Sequence, residues 1–262
     1  MGRSLRLVLR FSCLMLGTAG LTCLLLLGWP LARLMKRQVA WRSWSMRQWG
    51  RWAVRCLAIR VRSSGPAPEG AYLMVCNHLG YVDIPVLASQ TGCRLVSKAE
   101  VRQWPVVGPL ARLAGTVFVD RGRRRDVVRV GGEMGAAVAE GCGLVFFPEG
   151  TSTRGAGVDP FRSSLLQPAA EAQLPVHFAT LRYSTPEGEV PAEMSVAWWG
   201  DMELAPHLLD LLRLPSIEAE LIFGEQPIVA SDRKLLAEEL HAAVSGPFVP
   251  MHRSPLEAAT GL

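Results

Sequence analysis

The chain has 262 residues, 49% of them apolar and 19% charged, so it can bury a full core and is not a disordered polymer. Its net charge of +5 is unevenly spread: the first 68 residues hold 12 Lys and Arg and no acid, and the remainder is net acidic. A basic block joined to an apolar run suits anionic lipid headgroups and argues against nucleic acid as a partner.

In chain order, the first feature is a run of 22 uncharged residues from Phe11 to Ala32. At about 1.5 Å per residue it is long enough to cross about 30 Å of hydrocarbon. No Ala-x-Ala-like cleavage site ends it, which predicts an anchor rather than a signal peptide. Arg33, Lys36, Arg37, Arg42, Arg47 and Arg51 outweigh Arg3, Arg6 and Arg10, so the body is expected on the cytoplasmic face of a membrane, here taken as a bacterial inner membrane. A crossing helix and a re-entrant hairpin satisfy these residues equally. The next helical stretch puts Trp41, Trp49 and Trp52 on one face beside Arg47, Arg51 and Arg55, the pattern of a helix lying in the headgroup layer, favoured by the apolar run just upstream, or of one whose Trp face packs on the domain.

Ser63-Ser64-Gly65-Pro66-Ala67-Pro68 is turn chemistry and marks a boundary. The expected organisation is a membrane anchor and interfacial helix at 1–62, a catalytic body at 66–246 and a loose tail at 247–262. Within the body, strands are predicted at 71–76, 94–96, 116–119, 144–147, 176–181, 195–198 and 218–223, and helices at 84–90, 126–140, 163–173 and 232–244. Such alternation predicts an α/β fold, a mostly parallel sheet flanked by helices and preceded by the membrane-associated segment. Sites in such sheets lie at strand C-termini.

Two polar clusters occupy those positions. Asn77-His78-Leu79-Gly80-Tyr81-Val82-Asp83 follows the first predicted strand. In a regular helix a five-residue spacing leaves two side chains about 140° apart, so His78 and Asp83 meet only if His78 precedes the helix, with Gly80 giving the backbone its freedom. Asp83 would then accept the Nδ1 proton and leave Nε2 as a general base. A loop histidine bonded to an acid for structural reasons fits the same residues. Pro148-Glu149-Gly150-Thr151-Ser152-Thr153-Arg154 breaks out of the Leu144–Phe147 strand. Its glycine, hydroxyls and arginine could hold an anion, as could many polar turns.

Taken in order, Asn77-His78-x4-Asp83 and Phe147-Pro148-Glu149-Gly150-Thr151 resemble signature blocks of the lysophospholipid acyltransferase family, typified by 1-acylglycerol-3-phosphate acyltransferases. Lys98 and Gly115-Thr116-Val117-Phe118-Val119-Asp120-Arg121 look like that family's middle block, and Leu174-Pro175-Val176-His177 is similar to its fourth. The resemblance covers residues 70 to 225. It implies His78 and Asp83 as catalytic residues, and Asn77, Lys98, Arg121, Glu149, Gly150 and Thr151 as substrate-binding ones, with Arg121 on the acceptor phosphate. It further implies acyl transfer from acyl-CoA or acyl carrier protein to the hydroxyl of lysophosphatidate, or of another lysolipid such as lyso-ornithine lipid.

His177 reads as a packing residue at a strand start. No metal-ligand spacing and no cofactor motif occur, and the six cysteines form no Cys-x-x-Cys pair, reading as reduced thiols. The rivals are a serine hydrolase, which lacks its Gly-x-Ser-x-Gly elbow here, and a non-catalytic membrane lipid-binding protein.

Overall fold

The computed structural model of the protein describes residues 2–120 and 124–251. Two helices, α1 (Arg3–Leu34) and α2 (Gln38–Cys56), lead into strand β1 (Ile59–Ser64). An alternating stretch follows: β2 (Tyr72–Cys76), α3 (Asp83–Thr91), β3 (Arg94–Lys98), α4 (Val107–Leu113), β4 (Val117–Val119), α5 (Arg124–Ala139), β5 (Gly143–Phe146), α6 (Gln167–Glu171) and β6 (Val176–Ser184). The described chain closes with α7 (Ala192–Ser195), α8 (Leu204–Leu211), β7 (Ile217–Phe223) and α9 (Arg233–Ser245).

The seven strands form one sheet in the order β1-β7-β6-β2-β5-β3-β4. Every pairing is parallel except β6 with β7. This is the α/β arrangement with a mostly parallel sheet that the alternation of elements predicts. Helices cover both faces, which explains why β2 is apolar at every position rather than at every second one. Leu73 and Val75 join the core under α5, α6 and α9, while Met74 and Cys76 join the core beneath α2, α3 and α8.

Three expectations need correction. The strand predicted at 195–198 is absent: α7 ends at Ser195, and Val196 and Ala197 are apolar because they are buried, not because they pair in a sheet. The boundary near residue 65 falls too late, since β1 pairs with β7 and belongs to the sheet. Its alternation of Ile59 and Val61 with Arg60 and Arg62 is that of an edge strand with one face packed. The loose tail does not begin at 247: the Met251 N–H donates to Gly155 O at 2.8 Å and its side chain packs on the core. Residues beyond Met251 lie outside the described residues.

Helices α1 and α2 form an antiparallel hairpin. The indole N–H of Trp52 donates to Cys13 O at 3.0 Å, that of Trp49 to Thr18 Oγ1 at 3.2 Å and that of Trp41 to Leu25 O at 3.1 Å. The Trp face expected to meet the headgroup layer is therefore turned onto α1, because an indole N–H beside an apolar helix finds its acceptor there. The opposite side of α2 packs on α3, with Gly50 against the α3 backbone at Ala88 and Ser89. At its start α1 is tied to the body: Arg6 donates to Arg213 O at 2.7 Å, and Arg10 to Leu214 O at 2.5 Å and Pro215 O at 3.0 Å. The apolar side chains farther along it are largely uncovered, Leu16, Leu27 and Leu34 among them.

Candidate active site

Strands β2, β5, β3 and β4 lie side by side and run in the same direction. Their C-terminal ends therefore share one edge of the sheet, the edge where such folds open into ligand-binding loops. His78 follows β2, Glu149 to Thr151 follow β5, and Lys98 ends β3. Arg121, expected to hold the acceptor phosphate, lies outside the described residues, one position beyond Asp120 after β4.

The segment between Cys76 and Asp83 is irregular, as the five-residue spacing requires, and it brings the His78 Nδ1 to 2.8 Å from Asp83 Oδ2. Gly80 makes the turn with φ +153°, and a Cβ there would stand 2.9 Å from the Trp198 backbone nitrogen. Asp83 is fully buried at 0% exposure. Its Oδ2 also accepts the backbone N–H groups of Leu79 (2.7 Å) and Gly80 (3.0 Å), and its Oδ1 accepts the Tyr183 hydroxyl at 2.9 Å. A carboxylate surrounded by donors acts as acceptor, so it leaves the His78 proton on Nδ1 and a lone pair on Nε2. The imidazole stacks on Phe147 at 4.1 Å between ring centres and 12° between planes. Its side chain is 23% exposed, and among the described residues Nε2 has no hydrogen-bond partner.

The Glu149–Thr153 turn grips His78 by its backbone. Glu149 Oε1 accepts the His78 N–H at 2.5 Å, and the Thr153 N–H donates to His78 O at 2.9 Å. The other Glu149 oxygen accepts the Asp159 N–H at 2.8 Å. Burial pushes the Glu149 carboxyl up to about 8, against the pull of the Asp159 and His78 N–H groups.

Of the residues expected to bind substrate, two face inward instead. Glu149 is 3% exposed with both oxygens on backbone N–H groups. Asn77 is 1% exposed, its amide donating to Leu181 O at 2.8 Å and accepting the Leu181 N–H at 2.7 Å. Polar side chains placed in a core must pair with backbone groups left open nearby, and spacing in the sequence does not show which those are. Gly150 is buried with φ 89°, whereas Lys98, Thr151 and Arg154 are exposed. His177 is half-buried and edge-on to Tyr72 at 6.1 Å, which suits its reading as a packing residue.

Sequence reasoning passed over Tyr183 and an aromatic wall beside the His78 loop. Trp198 donates its backbone N–H to Leu79 O at 2.8 Å, and its ring lies 6.1 Å from that of Tyr81 and 6.4 Å from that of Trp104. The Tyr81 hydroxyl meets His207 Nδ1 at 2.9 Å, and His207 Nε2 meets Ala197 O at 3.1 Å. The available signal was Trp198-Trp199-Gly200, a tryptophan pair in a body otherwise poor in them.

Comparison with known proteins bears on the fold and the family. Among solved structures, the 1-acyl-sn-glycerophosphate acyltransferase PlsC of Thermotoga maritima matches with a TM-score of 0.63 over 93% of this chain and 97% of that one; at 18% identity the likeness speaks for the fold. The Acyltransferase family model matches residues 58–182. The 1-acyl-sn-glycerol-3-phosphate acyltransferase of Neisseria gonorrhoeae is 28% identical over 74% of this chain and 77% of its own length. The lyso-ornithine lipid O-acyltransferase of Brucella abortus is 34% identical over 80% of this chain and 84% of its own length. Similarity of that degree along four-fifths of its length shows that the chain belongs to the lysolipid acyltransferase family and is an acyltransferase.

Proposed function

We propose that this acyltransferase moves a fatty acyl group from acyl-CoA or acyl carrier protein to the free hydroxyl of a lysolipid, with His78 as general base and Asp83 as its orienting partner. The observation that carries the reading is the 2.8 Å contact between His78 Nδ1 and the buried Asp83. Nε2 takes the proton of the acceptor hydroxyl as that oxygen attacks the thioester carbonyl. The resulting intermediate expels the thiolate, which takes the proton back from His78. No covalent enzyme intermediate, resident cofactor or metal enters this scheme, and activity is expected to survive EDTA.

For the acceptor, the higher identity to the Brucella enzyme favours lyso-ornithine lipid. Lysophosphatidate is the second reading, supported by the cationic and hydroxyl groups along the same sheet edge. At about 4.8 Å per strand, β3 stands about 10 Å from β2, a reach suited to Lys98 at its end holding a headgroup while the acceptor hydroxyl meets His78. Asn77 and Glu149 act in this scheme as clamps on the His78 loop rather than as substrate ligands.

Purified protein incubated with either donor and a panel of lysolipids tests both points. Diacylated product is expected, with a loss of about 10² to 10⁴ in His78→Ala. Full turnover in that variant would remove the mechanism. If lysophosphatidate is the acceptor, Arg121→Ala raises its KM more than that of lyso-ornithine lipid; equal effects would leave Arg121 without a phosphate role.

The hairpin is the proposed membrane attachment. α1 is long and apolar enough to cross a bilayer. However, Arg6 and Arg10 hold its start on the body, and α2 returns to that same body. This favours a hairpin that dips into one face of the membrane, with the body on the cytoplasmic side of a bacterial inner membrane.

A further inference from the structure

The carboxylate of Asp83 has a partner supplied from far along the chain. β2 ends at Cys76, opposite Ala179 of β6, while β6 continues to Ser184. The overhang runs beside the irregular segment that carries His78. Two of its residues reach that segment: Leu181 through its backbone, which Asn77 holds at both ends, and Tyr183 through its hydroxyl, which donates to Asp83 Oδ1 at 2.9 Å. Tyr183 is 3% exposed. Its ring packs in the core with Leu79 and Val82, and its backbone N–H faces Met251 Sδ at 3.4 Å.

A phenol buried that deeply needs a hydrogen-bond partner, and among the described residues the one it has is the oxygen of Asp83 that His78 does not use. The two Asp83 oxygens are thus divided, Oδ2 to the imidazole and the adjoining loop N–H groups, Oδ1 to Tyr183. A carboxylate held at one oxygen only can rotate about its Cβ–Cγ bond. Held at both, it keeps Oδ2 in line with Nδ1.

Building on the general-base reading above, we propose that Tyr183 is a positioning residue for acyl transfer. Its hydroxyl fixes the plane of the Asp83 carboxylate and shares its negative charge, and so sets how firmly Asp83 holds the His78 imidazole. Tyr183 touches neither substrate nor reacting atoms. Its contribution belongs to kcat and is absent from the binding of either substrate.

The test is Tyr183→Phe, which keeps the ring in its place and deletes the one donor. A hydrogen bond to a buried charged group is worth enough that kcat should fall by about tenfold to a hundredfold. The KM values for thioester and lysolipid should stay within about twofold of wild type. In an Asp83→Asn background the same substitution should change the residual rate by less than about twofold, because the group it acts through is gone. An equal fall of kcat in both backgrounds, or a rise of KM with kcat kept, would overturn the proposal. Proton NMR supplies a readout independent of turnover: the low-field Nδ1–H resonance that His78→Gln removes should shift in Tyr183→Phe, and an unmoved resonance counts against the proposal. If Tyr183→Phe is recovered only as aggregate, 3-fluorotyrosine at position 183 keeps the hydroxyl while strengthening it as a donor, and the same resonance must then shift. Loss of activity in His78→Ala with Tyr183→Phe unaffected would sink the Tyr183 role alone. Full activity in His78→Ala would sink the general-base reading beneath it.

Discussion

At the scale of single residues, the site is built from buried polar groups that complete one another. Asp83, Asn77, Glu149 and Tyr183 are each nearly or wholly excluded from solvent, and each is satisfied by a group on a different segment. Removing one partner from such a set leaves the other unsatisfied, which costs more than the bond itself contributes. Glu149 has a consequence for pH. Its carboxyl is raised in the folded chain, chiefly by burial, to about 8 from an ordinary value of 4.5. The folded state therefore holds that proton more tightly than the unfolded state, so the associated stability is full below about 4.5 and is lost as pH rises through about 8. Thermal unfolding measured from pH 5 to 8 should show wild-type Tm declining relative to Glu149→Gln. Parallel curves for the two proteins would mean that the Glu149 carboxyl is not raised by the fold.

At the scale of elements, close approach between helices depends on glycines with different neighbours. Gly50 of α2 lies on the backbone of α3, at Ala88 and Ser89, where an added methyl group has no side chain to push aside. Gly17 of α1 faces the indole of Trp52, and Gly28 faces that of Trp41. An indole can shift where a helix backbone cannot. Gly50→Ala should therefore cost about 1–3 kcal/mol and lower Tm by several degrees, while Gly17→Ala should cost clearly less, helped by the better helix propensity of alanine. Equal losses in calorimetry of the two variants would mean that α2 is not seated on α3 through Gly50. The same interhelical contacts show where the indoles of the α2 Trp face find their acceptors, on α1. The periodicity of that face marks a side that leaves water, but an apolar neighbouring helix and a lipid headgroup layer satisfy an indole equally well.

At the scale of the whole molecule, the hairpin and the body form one folded unit, joined by α2 on α3 and by the α1 arginines on the carbonyls that follow α8. In membrane vesicles, a tag fused ahead of α1 should be cleaved by a protease added on the side where the body is digested. Protection of that tag while the body is cleaved would mean that α1 crosses the bilayer.

Much of the fold could be read from the chain itself. Strand β2 with its unbroken apolar run, β5 before its proline, and helices α3, α5 and α9 all carry local patterns strong enough to place them. The pairing of His78 with Asp83 was readable through the motif blocks of Asn77–Asp83 and Phe147–Thr151 together, while the five-residue spacing set its condition, that His78 precede the helix. What remained hidden depends on segments far apart in sequence. The Tyr183 contact spans a hundred residues and exists because β6 overruns β2 by a few positions, a matter of register that no local pattern encodes. The inward turn of Asn77 and Glu149 likewise follows from which backbone groups the assembled sheet leaves unpaired. Local sequence determined the elements, through periodicity and backbone sterics, and its motif blocks singled out His78 and Asp83; tertiary structure alone decided which buried polar groups support those two residues, since a hydrogen bond between remote segments forms only once packing has brought them together.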